Sequence, residues 1–304
     1  MNVLWIKDNN IGHEKQVKVL LDELLKNHNF DIEERSVKGS LPFCRHINKV
    51  NKNYYDIIIG AGHKTYPFLL NLKKNQKKLT KIIAILTPTF KKSNFDIICA
   101  PFHDKSKFNN LSNVIFFEGS LAKVSQNEPD QDIIMVALGG KNKHYEFKDN
   151  HILSQIEYFL SLHPNKKCYI FNSRRTPTSM NKKIESLVNK NRDAIFCHFR
   201  NQDESFEEIL HKSASKLITR DSVNMIYESL SCKGNTYLID MKNNKDKNKV
   251  VKTVDELISS RKIGYVDCDE MIEGISKMKL NKQNVYNETY AEVEKVAYQL
   301  NKLL

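Results

Sequence analysis

A chain of 304 residues with 40% hydrophobic and 28% charged positions can fill two ordinary cores, which excludes a disordered protein. Lys and Arg number 48 against 36 Asp and Glu, and the net charge of +12 favours anionic partners: nucleotide diphosphates, acidic lipids or nucleic acid. The basic residues are scattered rather than striped with aromatics, so no nucleic-acid partner is expected.

Met1 leads straight into an apolar strand signal at 3–6, so no leader peptide is expected. Gly12-His13 follows, ahead of a predicted helix over 14–25. Glycine admits close backbone approach. His13 suits a general base near neutral pH, with Asp8 placed to orient its ring or meet an acceptor. Helix capping is the plainer role for the same histidine. Further strand signals stand at 31–34, 56–60, 81–86, 95–100 and 114–117. The third strand closes in Gly60-Ala-Gly-His-Lys-Thr65, where Gly62, His63 and Lys64 are candidate ligand contacts. The fifth ends in Pro101-Phe-His-Asp104, and His103 with Asp104 reads as a hydrogen-bonded pair lining a ligand site; two ligands do not make a metal centre. Residues 123–132 are polar and aperiodic, contain Pro129, and read as an interdomain linker.

A second alternation then begins, with strands at 133–138, 168–171, 194–198, 217–219 and 236–239 and helices near 150–162, 179–191, 206–213 and 222–231. Two runs of strands alternating with helices predict an α/β protein with parallel sheets. Gly139-Gly140 ends the first of these strands, where exposed amides suit phosphate oxygens. The stretch Ile170-Phe-Asn-Ser-Arg-Arg-Thr-Pro177 places Ser173, Arg174, Arg175 and Thr176 at the carboxyl end of a strand and before a helix. Open α/β sheets bind ligands there, and paired guanidinium donors fit a diphosphate. In Leu217-Ile-Thr-Arg-Asp-Ser222, Thr219 opens a polar turn and Asp221 or Ser222 caps the next helix. Glu228 lies two turns into that helix, and a carboxylate there suits a ribose diol. The clamp is already cationic, so no metal is expected to take part. The six cysteines form no CxxC pair, so neither a disulfide framework nor a zinc site is expected, in keeping with a reducing cytosol. No apolar run approaches the ~18 residues of a membrane span. Residues 285–304 read as a terminal amphipathic helix.

The motifs Gly12-His13, Pro101-Phe-His-Asp104, Gly139-Gly140, Ser173-Arg-Arg-Thr-Pro177 and Thr219-Arg-Asp-Ser-Val-Asn-Met-Ile-Tyr-Glu228 together resemble the mitochondrial fission (elongated-mitochondria) family, whose bacterial members include enzymes of lipooligosaccharide core assembly. The resemblance spans about residues 3–240. It implies a GT-B-like fold, two Rossmann-like doubly wound parallel-sheet domains facing a cleft. Residues 1–125 would bind the acceptor, 131–284 the nucleotide sugar, and 285–304 would pack back on the first domain. The implied activity is metal-independent transfer of a sugar from a nucleotide-diphospho-sugar to a lipid-linked or cell-surface oligosaccharide acceptor, with no cofactor. The implied location is the cytoplasm, with peripheral contact at the anionic inner face of the membrane. The rival expectations are a non-catalytic membrane scaffold and a nucleotide-sugar epimerase. One departure stands out: where the family runs Gly-Lys-Pro-Val after the glutamate helix, this chain has Lys233-Gly-Asn-Thr236.

Overall fold

A computed structural model describes residues 1–37, 54–76, 79–109, 111–201, 204–244, 249–269, 277–284 and 288–304; Cys44 and the expected start of the last helix at 285 lie outside these. The chain divides into two compact units, Met1–Lys123 with Ala291–Leu304, and Val124–Tyr290. Both are α/β units built on parallel-dominated sheets.

The first unit holds β1 (Asn2–Lys7), α1 (Ile11–Leu24), β2 (Asp31–Ser36), β3 (Ile57–Ala61), α2 (Tyr66–Lys74), β4 (Lys81–Ile85), β5 (Ile97–Pro101) and β6 (Val114–Phe117). Its sheet runs β2-β1-β3-β4-β5-β6, parallel throughout. Strands β1 and β3 to β6 are apolar runs because helices cover both faces, whereas the edge strand β2 is polar. Leu4, Ile6, Ile58, Ile82 and Ile98 pack against Phe68, Leu69 and Leu72 of α2. The chain steps from β1 outward to β2, then returns to β3 on the other side, so loops after β1 and β3 diverge at a topological switch point. Open α/β sheets bind ligands at such points.

The second unit holds β7 (Asp130–Ala137), α3 (Asp149–Ser161), β8 (Lys167–Phe171), α4 (Thr178–Lys190), β9 (Ala194–Cys197), α5 (Phe206–Lys212), β10 (Ser213–Ile218), α6 (Val223–Leu230), β11 (Asn235–Leu238), α7 (Lys249–Ser259), β12 (Gly264–Asp269) and β13 (Lys277–Asn281). The sheet order is β13-β12-β11-β10-β7-β8-β9, with only the β12–β13 pair antiparallel. Alternation along β7 feeds two cores: Ile134 and Val136 meet Ile152, Ile156 and Ile184 on one face. Met135 and Ala137 meet Ile209, Ile226 and Tyr227 on the other. Here the switch point lies between β7 and β10. On β10 the completely buried Lys216 closes the C-terminal end of α6, its Nζ donating to the carbonyls of Ser229 at 3.0 Å and Lys233 at 2.7 Å. The departing Lys233-Gly234 turn is thereby fixed, and Gly234 takes φ +93°, where an added Cβ would meet the Ser213 carbonyl at 2.4 Å.

The terminal helix, α8, is shorter than expected, Glu292–Asn301, and belongs to the first unit, lying against α1 and β6. Glu292 accepts the Glu118 N–H at 2.8 Å, and Asn301 bonds the His28 ring at 2.9 Å. The expected linker is shorter too, since β7 begins at Asp130. Burial pushes the Cys99 thiol up to about 12, which fits an inert core residue.

Candidate functional site

Two polar constellations form, one at each switch point. In the first unit, Gly12 and His13 lie inside the first turn of α1 rather than ahead of it. The helix starts early because Asn10 caps it, accepting the Gly12 N–H on its side chain at 3.0 Å. Asp8, at the end of β1, accepts the Asn10 N–H on Oδ1 at 3.0 Å and meets His13 Nδ1 with Oδ2 at 2.7 Å. The Asp8 side chain is 6% exposed and that of His13 28%. A carboxylate only accepts, so Nδ1 carries the hydrogen and Nε2 is left as the acceptor nitrogen. Gly62, in the loop after β3, completes the arrangement. It has φ +88°, and a Cβ on it would stand 2.5 Å from His13 Nδ1 and 2.7 Å from Asp8 Oδ2. Gly62 thus serves the dyad by its lack of a side chain. His63 and Lys64 are exposed beside it, and His63 Nδ1 lies 3.5 Å from Thr89 Oγ1. Asp104 is buried and serves the loop: it accepts from Thr87 at 2.7 Å and pairs with Lys107 at 3.0 Å, while His103 is exposed.

In the second unit the loops after β7, β8 and β10 converge, and their internal bonding corrects several expectations. The Gly139 and Gly140 amides are not free for phosphate. Gly139 N–H donates to Thr219 Oγ1 at 2.8 Å and Gly140 N–H to Asp221 Oδ2 at 2.9 Å. These glycines are required by packing: a Cβ on Gly140 would fall 2.0 Å from the Arg175 carbonyl oxygen, and one on Gly139 would fall 2.3 Å from the Asp221 carboxylate. The hydroxyls of Ser173 and Thr176 are likewise turned inward, both donating to the Gly139 carbonyl, the first at 2.7 Å. Thr219 is completely buried. Asp221 does not cap α6; Ser222 stands at that cap without a side-chain bond. Asp221 instead takes the guanidinium of Arg175 at 2.8 Å, with its own side chain 0% exposed and that of Arg175 44% exposed. The protein's own carboxylate therefore fills the anion hole made by the Gly140 amide and Arg175.

What remains open to a ligand is narrower than the sequence suggested. Arg174 is exposed, Ser222 is half-buried, and Glu228 is half-buried on α6. Arg175 keeps its outer edge accessible while its inner edge is anchored. Sequence reasoning missed Asn142, whose Nδ2 donates to the Asp221 carbonyl at 3.0 Å and whose Oδ1 accepts the His144 and Tyr145 amides. An Asx-type turn two residues past a Gly-Gly pair was the available signal. It also missed Arg220, which pairs with Asp240 at 3.3 Å.

A model of the family described as mitochondrial fission ELM1 matches residues 9–302. No curated protein matches the chain. Among solved structures it is similar to a UDP-GlcNAc 2-epimerase from Methanocaldococcus jannaschii, at 12% identity and TM-score 0.57, over 99% of this chain and 100% of that one. It is also similar to S. aureus MnaA in a co-structure with UDP, at 11% identity and TM-score 0.54, over 99% of this chain and 88% of that one. A 2-epimerase from Listeria monocytogenes aligns at 11% identity and TM-score 0.52, again over 99% and 88%. At these identities the likeness speaks for the fold.

Proposed function

Because the chain belongs to the mitochondrial fission ELM1 family, we propose that it is a glycosyltransferase of GT-B type. It moves a sugar from a nucleotide-diphospho-sugar held on the second unit to a lipid-linked or oligosaccharide acceptor on the first. The observation that carries this reading is the Asp8–His13 dyad at the first switch point, with Gly62 stripped of a side chain to admit it. A scaffold has no use for a carboxylate-oriented, partly exposed imidazole. In transfer, His13 Nε2 takes the proton of the attacking acceptor hydroxyl, and Asp8 holds the ring and stabilises the resulting imidazolium. Arg174 and the outer edge of Arg175 neutralise the leaving diphosphate, where negative charge develops. Glu228 accepts the ribose hydroxyls.

His13→Ala should lower the transfer rate by about 10²–10⁴-fold, the usual cost of losing a general base, with nucleotide binding near wild type. Unchanged turnover in this variant would reject the base assignment. The cationic clamp already does the work of a divalent ion, so transfer should run equally well with magnesium or manganese supplied or withheld; a strict need for either would overturn that part. The shared fold also admits an epimerase. Incubation with donor alone separates the two: an epimerised nucleotide sugar without any acceptor would favour that reading over transfer.

A further inference from the structure

We infer that His151, Asp240 and Cys268 form a binding site for a divalent cation of the zinc class. The three come from separate elements: His151 from the first turn of α3, Asp240 just beyond β11, and Cys268 from β12. One donor atom from each lies within 4.8 Å of the other two, and all three residues are half-buried. His151 Nε2 stands 3.4 Å from an Asp240 carboxylate oxygen, Oδ2. That is long for a charge-assisted N–H···O bond, about 2.7–2.9 Å. It matches the edge of a tetrahedron with a zinc ion at its centre, about 3.3–3.5 Å for ligand bonds of ~2.0–2.2 Å. Imidazole, carboxylate and thiolate are the donors zinc takes, whereas magnesium and calcium take oxygen.

The surroundings hold the ligands in place. Gln155 is completely buried and clamps the Asp240 backbone, accepting its N–H at 2.6 Å and donating to its carbonyl at 3.0 Å. The other carboxylate oxygen, Oδ1, lies 3.3 Å from Arg220. Outer contacts of this kind fix the orientation of metal ligands, and losing one typically costs ~10–100-fold in metal affinity. Arg220 does not forbid a cation: Zn²⁺ with one thiolate and one carboxylate is neutral as a unit. Three protein ligands leave a fourth tetrahedral position for water or a small ligand. The inference is independent of sugar transfer.

The test uses the purified full chain, stripped with a chelator and reloaded. About one equivalent of Zn²⁺ should survive gel filtration, and Co²⁺ should produce a thiolate-to-cobalt charge-transfer band with tetrahedral d–d bands. Cys268→Ala should abolish that band and weaken zinc by more than the ~10–100-fold that loss of an outer-shell partner costs. His151→Ala should keep the band at weaker affinity. Far-UV circular dichroism confirms folding of each variant. A folded wild type that retains no zinc, or cobalt bound without the thiolate band, or zinc affinity unchanged in Cys268→Ala, would overturn the site and leave an Arg220–Asp240–His151 ion-pair triad.

Discussion

Arg174 and Arg175 are adjacent in sequence yet differ in chemistry. Arg174 makes no ion pair among the described residues, whereas Arg175 neutralises the buried Asp221. Arg174→Ala should therefore weaken nucleotide-diphosphate binding by about 1.5–3 kcal/mol, the worth of a hydrogen bond to a charged group, with melting temperature unchanged. Arg175→Ala should lower both, because it strands a buried carboxylate. A fully buried pair broken this way costs ~3–5 kcal/mol, and the exposed outer edge of Arg175 reduces that to about 1–3. Calorimetry with a nucleoside diphosphate, paired with thermal unfolding, separates the two arginines; identical behaviour would sink the distinction. The sequence located the Ser-Arg-Arg-Thr-Pro motif because a strand emptying into basic residues before a proline is a local pattern. It could not show that Ser173 and Thr176 bond Gly139 or that Gly140 bonds Asp221, since those bonds span 34 to 81 residues. The trio His151, Asp240 and Cys268 was invisible for the same reason: no short spacing announces it.

At the scale of elements, most of the parallel strands of both sheets were legible as apolar runs punctuated by glycine, proline and polar turns. Three elements near the end of the second unit were not. The amphipathic face of α7, with Val251, Val254 and Leu257 buried, adjoins a Lys- and Asn-rich run that masked its period. In β13 the Lys-Met-Lys-Leu-Asn alternation is too short to stand out, and β12 carries aspartates between its apolar residues. On β10, Lys216 sits in an otherwise uncharged, buried strand because the carbonyls ending α6 need donors. Burial lowers its pKa from the ordinary 10.5. The unfolded chain therefore holds this proton more tightly than the folded one, and stability should rise as pH climbs from the lowered value toward 10.5. Lys216→Met should lack that rise, and at neutral pH it should be less stable by about 1–3 kcal/mol for the carbonyls left unpaired. Urea unfolding from neutral to alkaline pH checks both; parallel curves for variant and wild type would disprove the buried-amine account.

For the whole molecule, the first unit is discontinuous: its last helix, α8, arrives only after the entire second unit has been threaded. On a ribosome the face of α1 that α8 covers stays bare through the synthesis of 167 residues, from Val124 to Tyr290. At ~5–20 residues per second that is an interval of roughly ten to thirty seconds in which apolar surface waits for a partner not yet made. The second unit can close on its own schedule; the first cannot finish until the final helix emerges. A chain stopped at Tyr290 should yield a second unit that resists limited proteolysis and a first unit cut readily near α1 and β6. Addition of a peptide covering 291–304 should restore protection; a truncated first unit as resistant as the full one would show that its fold closes without the last helix. Nascent chains arrested at that length are thus natural clients for a holdase chaperone, and the order of translation, rather than the stability of the finished protein, sets when the first unit is at risk.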